Sequence, residues 1–237
     1  MTDTALNLVS AVAIGLIIFI MSLLKAGYLK ALVYSLPIPI TIALVATDGH
    51  VNATNVIGLF ILSIFLWAVH WLVKRGTNIY VADVIASVAY IIVGYLAVTY
   101  IHISFFASVL VYMGAWLVFV ILYRHSTEGK MKVAPAVKPI IKLPVVTTLA
   151  YILLSLKSYL AGIVVTFPFS GVFAVVESRQ TLKTLAAVFT RNSIAILGLF
   201  VMMFYLDAMN LGVRILIGWV AYLAILWIVT RVVKYAR

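Results

Sequence analysis

Residues 55–73 read NVIGLFILSIFLWAVHWLV, an apolar run without a charged side chain, and Lys74 and Arg75 follow it directly. A helix needs about 20 predominantly apolar residues to cross the hydrocarbon core of a bilayer. Runs of similar length and composition recur along the chain. Because basic residues collect in the cytoplasmic loops of membrane proteins, residues 55–73 are predicted to form a transmembrane helix that ends in the cytoplasm.

The composition indicates a membrane protein over the whole chain. Of the 237 residues, 66% are hydrophobic and 10% are charged, and so few charges cannot cover the surface of a soluble domain. An open sheet edge cannot lie in lipid, so the apolar runs are interpreted as helices. The first run lacks the basic start of a cleaved signal peptide and is counted with them. The predicted fold is all-α, a polytopic transmembrane bundle of nine helices at 7–24, 29–47, 55–73, 80–101, 104–123, 143–156, 158–176, 185–206 and 211–231.

The basic residues test this helix count. On a nine-helix path, 14 of the 17 Lys and Arg residues fall on one side, Lys157 and Arg214 fall on the other, and Arg191 lies inside a helix. This bias predicts a multi-pass protein of the plasma (inner) membrane, with its N-terminus outside and its C-terminus in the cytoplasm. The net charge of +11 then reflects topology, and no nucleic-acid partner is expected.

The longest loop, 124–142, carries five of the basic residues together with Pro135 and Pro139. We expect it to be a basic cytoplasmic linker that contacts anionic lipid headgroups. The loop also separates two similar parts of the chain, which is the basis of the predicted domain organisation.

Glycines and an Arg-x-Thr pair recur when the chain is slid along itself by about 104 residues: Gly58 with Gly162, Arg75 with Arg179, Thr77 with Thr181, Gly94 with Gly198, and Gly114 with Gly218. The pattern predicts an extra N-terminal helix (1–28) and two four-helix repeats (29–123 and 143–237). Since four is even, both repeats have the same orientation. Transporters built from repeats bind their substrates at the repeat interface, although a duplication can also be kept for packing alone.

The second repeat resembles the GlpM family of small bacterial inner-membrane proteins. The resemblance rests on Ile141-Lys142, on 157–162 (KSYLAG), on Phe167-Pro168 and on Glu177-Ser178-Arg179. It covers less than half the chain, and the first repeat has Ser63-Ile64 in place of the Phe-Pro step. The resemblance implies a four-helix unit and a link with the cell envelope, and it implies no catalytic residue.

Ionisable groups inside membrane helices are costly and are therefore candidates for function. Arg191 is predicted about two turns into the eighth helix, and Asp83 about one turn into the fourth. We expect the two charges to meet across the repeat axis, with Asp83 taking a proton and Arg191 holding an anion. The alternatives are a structural ion pair, or an Arg191 that extends to the headgroups. Asn192 follows Arg191 and extends a polar path.

A second group of candidates lies on the seventh helix. Pro168 removes a helical hydrogen bond at mid-span, and a broken helix there can offer backbone groups to a substrate. Ser170 lies in the same TFPFSG stretch. Glu177 ends the helix and is interpreted as an interfacial salt bridge with Arg179 or Lys183, or as a proton acceptor below the break. The alternative for Pro168 is an ordinary packed kink.

Cofactor and metal chemistry find little support in the sequence. The chain has no cysteine, which excludes disulfides and thiolate sites. The histidines lack metal-ligand spacing, although His50, His102, Asp48 and Asp207 are predicted outside and would form a metal or proton-entry cluster if they met. We therefore predict no catalytic residue, no cofactor and no metal.

The residues favour a small transporter or permease for a small or amphipathic solute, proton-coupled through Asp83 or Glu177, with its site at the repeat interface. Two alternatives remain open. One is a non-catalytic subunit or assembly factor of an envelope complex, as a homodimer or with other proteins. The other is a flippase or membrane enzyme acting on a lipid-linked precursor.

Overall fold

A computed structural model describes residues 3–23, 36–123 and 138–235 of the chain. These residues form helices and turns and contain no strand. The helical segments of the described part are α1 (Asp3–Leu23), α2 (Ile38–Ala46), α3 (Ala53–Lys74), α4 (Ile79–Tyr100), α5 (Phe105–Tyr123), α6 (Pro139–Ser155), α7 (Lys157–Leu160), α8 (Gly162–Val165), α9 (Gly171–Glu177), α10 (Leu182–Tyr205) and α11 (Leu211–Tyr235).

Five of these helices are long and apolar enough to cross a membrane, namely α1, α3, α4, α10 and α11. Many of their large hydrophobic side chains point outward; Val84 on α4 is 62% exposed and Leu216 on α11 is 66% exposed. In water such surfaces would drive aggregation, whereas in a bilayer they face hydrocarbon. The chain is therefore a helical membrane bundle.

The predicted and observed helix bounds agree within a few residues for the long helices. The prediction was wrong at the sixth helix, which begins at Pro139 instead of residue 143. Proline is favoured in the first turn of a helix because its missing N–H has no partner there. Lys142, assigned to the linker from the sequence, consequently lies inside α6. Residues 124–137 of that linker, and residues 29–35 of the second predicted helix, lie outside the described residues.

The seventh predicted helix is broken into α7, α8 and α9. The first break is at Ala161, whose φ of 44° is a conformation that side chains rarely adopt. The second break spans residues 166–170, where Pro168 has no N–H to continue the helical pattern. The predicted break at Pro168 is confirmed, and the break at Ala161 is additional.

The central element of the bundle is α3, which packs against α4, α5, α8 and α10. On one flank, α1 lies along α6 and also contacts α2. On the other flank, α10 lies along α11. Helix α5 leaves its chain neighbour α4 and packs on α3 and α10 instead. This placement of α5 leaves a groove between three helices that are distant in sequence.

The two ends of the bundle differ in charge. Lys157 lies 3.7 Å from Asp3, and His50 lies 3.2 Å from Asp207, so these residues share one end, which we call the aspartate end. Lys74 and Lys183 both act electrostatically on His70. They mark the opposite end of α3 and the start of α10, which we call the lysine end.

Gly58 is closely packed and Gly114 is not, so replacing each by alanine gives a test variant and a matched control. A Cβ on Gly58 would overlap the Oγ1 atom of Thr166, whereas a Cβ on Gly114 would meet nothing within 4 Å. We expect Gly58→Ala to lower the free energy of unfolding by about 1–3 kcal/mol, because overpacking forces neighbours to shift. Gly114→Ala should be neutral or stabilising by up to about 1 kcal/mol, because alanine is the better helix former.

The measurement is unfolding of the purified protein in detergent with both variants side by side. Equal stability of the two variants would contradict the close contact between α3 and the broken helix.

Candidate functional site

An open groove between α3, α5 and α10, with a volume of about 690 Å³, has the character of a ligand site. Pockets that bind small molecules have volumes of roughly 300–1,000 Å³. Apolar and aromatic side chains make up most of its wall, and we call it the aromatic groove. It is lined by Phe60, Ser63, Ile64, Trp67, Ala68, Trp71, Tyr112, Ala115, Trp116, Val118, Phe119 and Thr190.

Aromatic side chains of the groove wall contact one another edge to face. The ring of Trp67 meets that of Phe119 at 5.5 Å in a T-shaped arrangement, and Phe60 meets Tyr112 at 6.4 Å in the same way. Each such pair adds about 0.5–1.5 kcal/mol beyond the area that it buries. Trp71 is 57% exposed at the rim. The groove wall is therefore built in advance of any ligand.

Three of the polar hydrogens of the groove wall, on Trp67, Trp116 and Tyr112, are bonded within the protein. Trp67 donates its Nε1–H to the hydroxyl of Thr190 at 3.3 Å. Trp116 donates its Nε1–H to the backbone carbonyl of Arg191 at 3.0 Å. Tyr112 donates to the hydroxyl of Ser193 at 2.5 Å. Because these groups have partners, the wall presents a mainly hydrocarbon surface.

A smaller pocket of about 260 Å³ opens at the aspartate end. Its wall is mixed in charge and includes Asp48, His50 and Lys157. Lys157 also donates to the carbonyl of Ala46 at 3.0 Å. Of the four residues that would form a cluster if they met, His50 lies 3.2 Å from Asp207, but no group of three or more His, Asp or Glu residues in the described part of the chain could hold a metal ion.

Arg214 fixes this end of the bundle. Its guanidinium is 4% exposed and donates to Asp207 at 2.7 Å, to the carbonyl of Gly49 at 2.8 Å and to the carbonyl of Met203 at 3.0 Å. Hydrogen bonds that involve a charged group are about twice as strong as neutral ones. Arg214 therefore ties the turn before α3 to the loop between α10 and α11.

Tyr90 on α4 supports the broken helix from within. Its side chain is 2% exposed, and its hydroxyl lies 2.8 Å from the hydroxyl of Thr166 and 3.1 Å from the carbonyl of Ile163. On the other side of the break, the N–H of Gly162 donates to the hydroxyl of Thr54 at 2.8 Å. A buried backbone group without a partner is costly in a bilayer, so these side chains make the break possible.

Glu177 has a partner that the sequence did not suggest. Its carboxylate accepts a hydrogen bond from the ammonium of Lys142 on α6, and both side chains are 1% exposed. The ammonium also lies 5.5 Å from the ring centre of Phe173, a cation–π arrangement. The predicted pairing with Arg179 or Lys183 was wrong: both of these side chains are exposed, whereas Glu177 turns inward to α6.

The predicted meeting of Asp83 and Arg191 is not observed. Asp83 is 5% exposed, and its Oδ1 atom accepts no hydrogen bond. The guanidinium of Arg191 instead donates from Nε to the side chain of Asn192 at 3.4 Å. No described hydrogen bond or salt bridge joins Asp83 to Arg191. Thr190, the neighbour of Arg191, is the residue that reaches the groove wall.

The two candidates in the break are also separate from the groove. Pro168 is buried and accepts a backbone hydrogen bond from Val172 at 2.9 Å. Ser170 is half-buried and precedes α9 without capping it through its side chain. Neither residue is part of the groove wall. The break is thus a packed structural element that positions α9 and Glu177.

Sequence reasoning missed the residues that build the groove and support the break. Three of the five tryptophans line the groove, but their spacing on α3 is also that of an interfacial aromatic belt. Lys142 was counted as a loop cation because it follows a proline-containing basic stretch. Tyr90 carried no signal, since a single tyrosine in an apolar helix is common.

Comparisons with protein-family models, with curated proteins and with solved structures found no match for this chain.

The ion pair of Lys142 and Glu177 predicts a characteristic pattern of stabilities. Lys142→Met should lower the free energy of unfolding by about 3–5 kcal/mol, because it leaves a buried carboxylate without its partner charge. The double variant Lys142→Met, Glu177→Gln should recover much of this loss, since no buried charge remains.

Thermal unfolding in detergent provides the measurement, with Lys138→Met as the control. Lys138 lies one turn earlier and is exposed, so its replacement should change stability by less than about 0.5 kcal/mol. If the double variant were as unstable as the single one, the charges themselves would not be the cause.

Proposed function

We propose that the chain is a membrane permease for an amphipathic solute whose hydrocarbon part lies in the aromatic groove. The observation that carries this proposal is the groove itself, a volume of about 690 Å³ with a mainly apolar wall. The polar hydrogens of Trp67, Tyr112 and Trp116 in that wall are bonded within the protein. Such a wall suits a hydrocarbon chain, which enters from the lipid between helices, better than a hydrated solute.

We further propose that the helices cross the membrane nine times, with the N-terminus outside and the C-terminus in the cytoplasm of the inner membrane. The convergence of Asp3, Gly49, Lys157 and Asp207 at the aspartate end supports this topology. All four belong to segments that a nine-helix path assigns to the same side. The lysine end would then be cytoplasmic, as basic loops generally are.

The proposed repeat receives support from helix bounds. Helix α3 begins at residue 53 and α7 at residue 157, a difference of 157 − 53 = 104. Helix α4 begins at residue 79 and α10 at residue 182, a difference of 103. The paired glycines of the pattern, Gly58 and Gly162, both lie where α3 meets the broken helix. In this interpretation the aromatic groove lies between the two repeats.

We also keep the relation of the second repeat to the GlpM family as a proposal. The stretches that carry the resemblance meet in space: Lys142 pairs with Glu177, and both flank the break that contains Pro168. The pairing gives those residue types a common structural purpose. It does not assign them an activity.

One observation favours the alternative of a non-catalytic subunit of an envelope complex. Between α3, α4 and the broken helix, the bundle is tightly filled by Tyr90, Thr166 and Phe167, each at most 3% exposed. A permease needs this region, or the groove beside it, to rearrange. A subunit does not, and it would co-purify with its partner.

The groove proposal is tested by filling the groove. In Ala68→Trp a large side chain enters the aromatic groove, whereas in the control Ala89→Trp it points outward from α4, since Ala89 is exposed. We expect the groove variant to slow protein-dependent crossing of an NBD-labelled lysophospholipid in proteoliposomes at least ten-fold, because it removes the binding volume. With the control variant, the labelled lysophospholipid should cross at the rate measured for the unmodified protein.

Crossing that is equally fast in both variants would contradict transport through the groove. If the unmodified protein moves none of the labelled lipids, the subunit alternative is favoured.

The possible proton coupling rests on Asp83, whose buried Oδ1 atom has no hydrogen-bond partner. Asp83→Asn keeps the shape of the side chain and removes the exchangeable proton. We expect unchanged stability, and a crossing rate that no longer responds to a pH gradient across the proteoliposome. Ser87→Ala, one turn further along α4, serves as the control. A preserved response in Asp83→Asn would exclude Asp83 as the coupling group.

A further inference from the structure

We propose that the ligand of the aromatic groove bears an anionic group, a carboxylate or a phosphate, on a long hydrocarbon chain, and that this group lies at the lysine end. The inference rests on the proposed function and names its substrate class. It follows from three observations: the distribution of polar atoms in the wall, the charges at one mouth of the groove, and the absence of acidic residues from its lining.

The wall determines the nature of the buried part of the ligand. The polar hydrogens of Trp67, Trp116 and Tyr112 are all donated within the protein. A polar ligand group placed against them would lose its hydration without gaining a bond, which costs free energy. A hydrocarbon chain has no such cost and gains from apolar burial. The body of the groove therefore selects an alkyl chain.

The charges at one mouth determine where the polar group lies. Lys74 ends α3 and Lys183 lies in the first turn of α10, both exposed. Lys74 lies one helical turn beyond Trp71, and Lys183 lies two turns before Thr190, and both Trp71 and Thr190 line the groove. The two lysines are therefore placed at the end of the groove that Trp71 borders. The start of α10 adds the positive end of a helix dipole.

The sign of the ligand charge follows from the absence of any opposing charge. None of the residues that line the groove is acidic. Glu177, the acid nearest in sequence to the start of α10, is buried against Lys142. A cationic amphiphile would find no counter-charge here and would be repelled by both lysines. An anion within a few ångströms of two ammonium groups is stabilised by both.

The test uses quenching of tryptophan fluorescence in nanodiscs of phosphatidylcholine. The full chain carries Trp227→Phe, since Trp227 is 61% exposed outside the groove and would report general lipid contact. The probes are doxyl-labelled chains with four different heads: carboxylate, phosphate, uncharged ester and quaternary ammonium. The carboxylate and phosphate arms distinguish a fatty acid from a phospholipid as the source of the anion.

We expect the anionic probes to quench at a mole fraction about 10- to 30-fold lower than the ester probe, because each basic residue near a membrane surface contributes roughly a five-fold effect. The preference should weaken as salt is added. The double variant Lys74→Gln, Lys183→Gln should reduce it below about three-fold while leaving the ester probe unchanged. Lys138→Gln, an exposed lysine outside the groove, should keep the full preference.

Equal quenching by anionic, uncharged and cationic heads would overturn the inference and leave hydrocarbon binding in the groove intact. The inference would also be overturned if Lys74→Gln, Lys183→Gln kept the full preference for anionic probes. The groove is filled here with Ala68→Phe, which adds no tryptophan to the signal. If this variant is quenched like the parent chain by every probe, the groove binds no chain, and the proposed function fails together with the inference.

Discussion

A backbone that crosses hydrocarbon must satisfy its own hydrogen bonds, and this constraint governs the broken helix on which the bundle is arranged. Between residues 157 and 177 the chain interrupts its helix twice. Each interruption is matched by a polar side chain from another helix: the hydroxyl oxygen of Thr54 accepts a hydrogen bond from the N–H of Gly162, and the hydroxyl of Tyr90 reaches Thr166 and Ile163. Helices α3 and α4 are therefore held against the broken helix by the hydrogen bonds that its interrupted backbone requires.

The same constraint explains the character of the aromatic groove. Helix α5 leaves α4 and packs on α3 and α10, so that polar groups of three helices meet and bond one another. Tyr112 reaches Ser193, and Trp67 reaches Thr190, across boundaries between helices. What remains exposed in the groove is mostly apolar. The groove wall is hydrocarbon-like because polar side chains such as Tyr112 and Trp67 use their hydrogen bonds to join the helices that form it.

Much of the fold follows from the sequence because lipid imposes simple rules of length and polarity. Apolar runs located the long helices, and Pro168 located one break, since proline acts through its own missing N–H. Ala161 could not be recognised, because nothing in an alanine side chain favours its positive φ. The burial of Lys142 also depends on Glu177, 35 residues away. Contacts of this kind decide the candidate site. The sequence pattern favoured Pro168 and Arg191, whereas Trp67 and Thr190 form the wall of the groove.

The buried pair of Lys142 and Glu177 has a consequence for how the protein is made. Helix α6 contains a lysine and two prolines, Pro139 and Pro144, and is among the less apolar of the helices. Helix α6 leaves the ribosome before α9, which carries the balancing carboxylate. Until α9 follows, the ammonium of Lys142 lacks the charge of Glu177, and a buried ammonium without an opposite charge is costly. Stable residence of α6 in the bilayer is thus completed by a segment that enters later, and α6 and α9 mature as one unit.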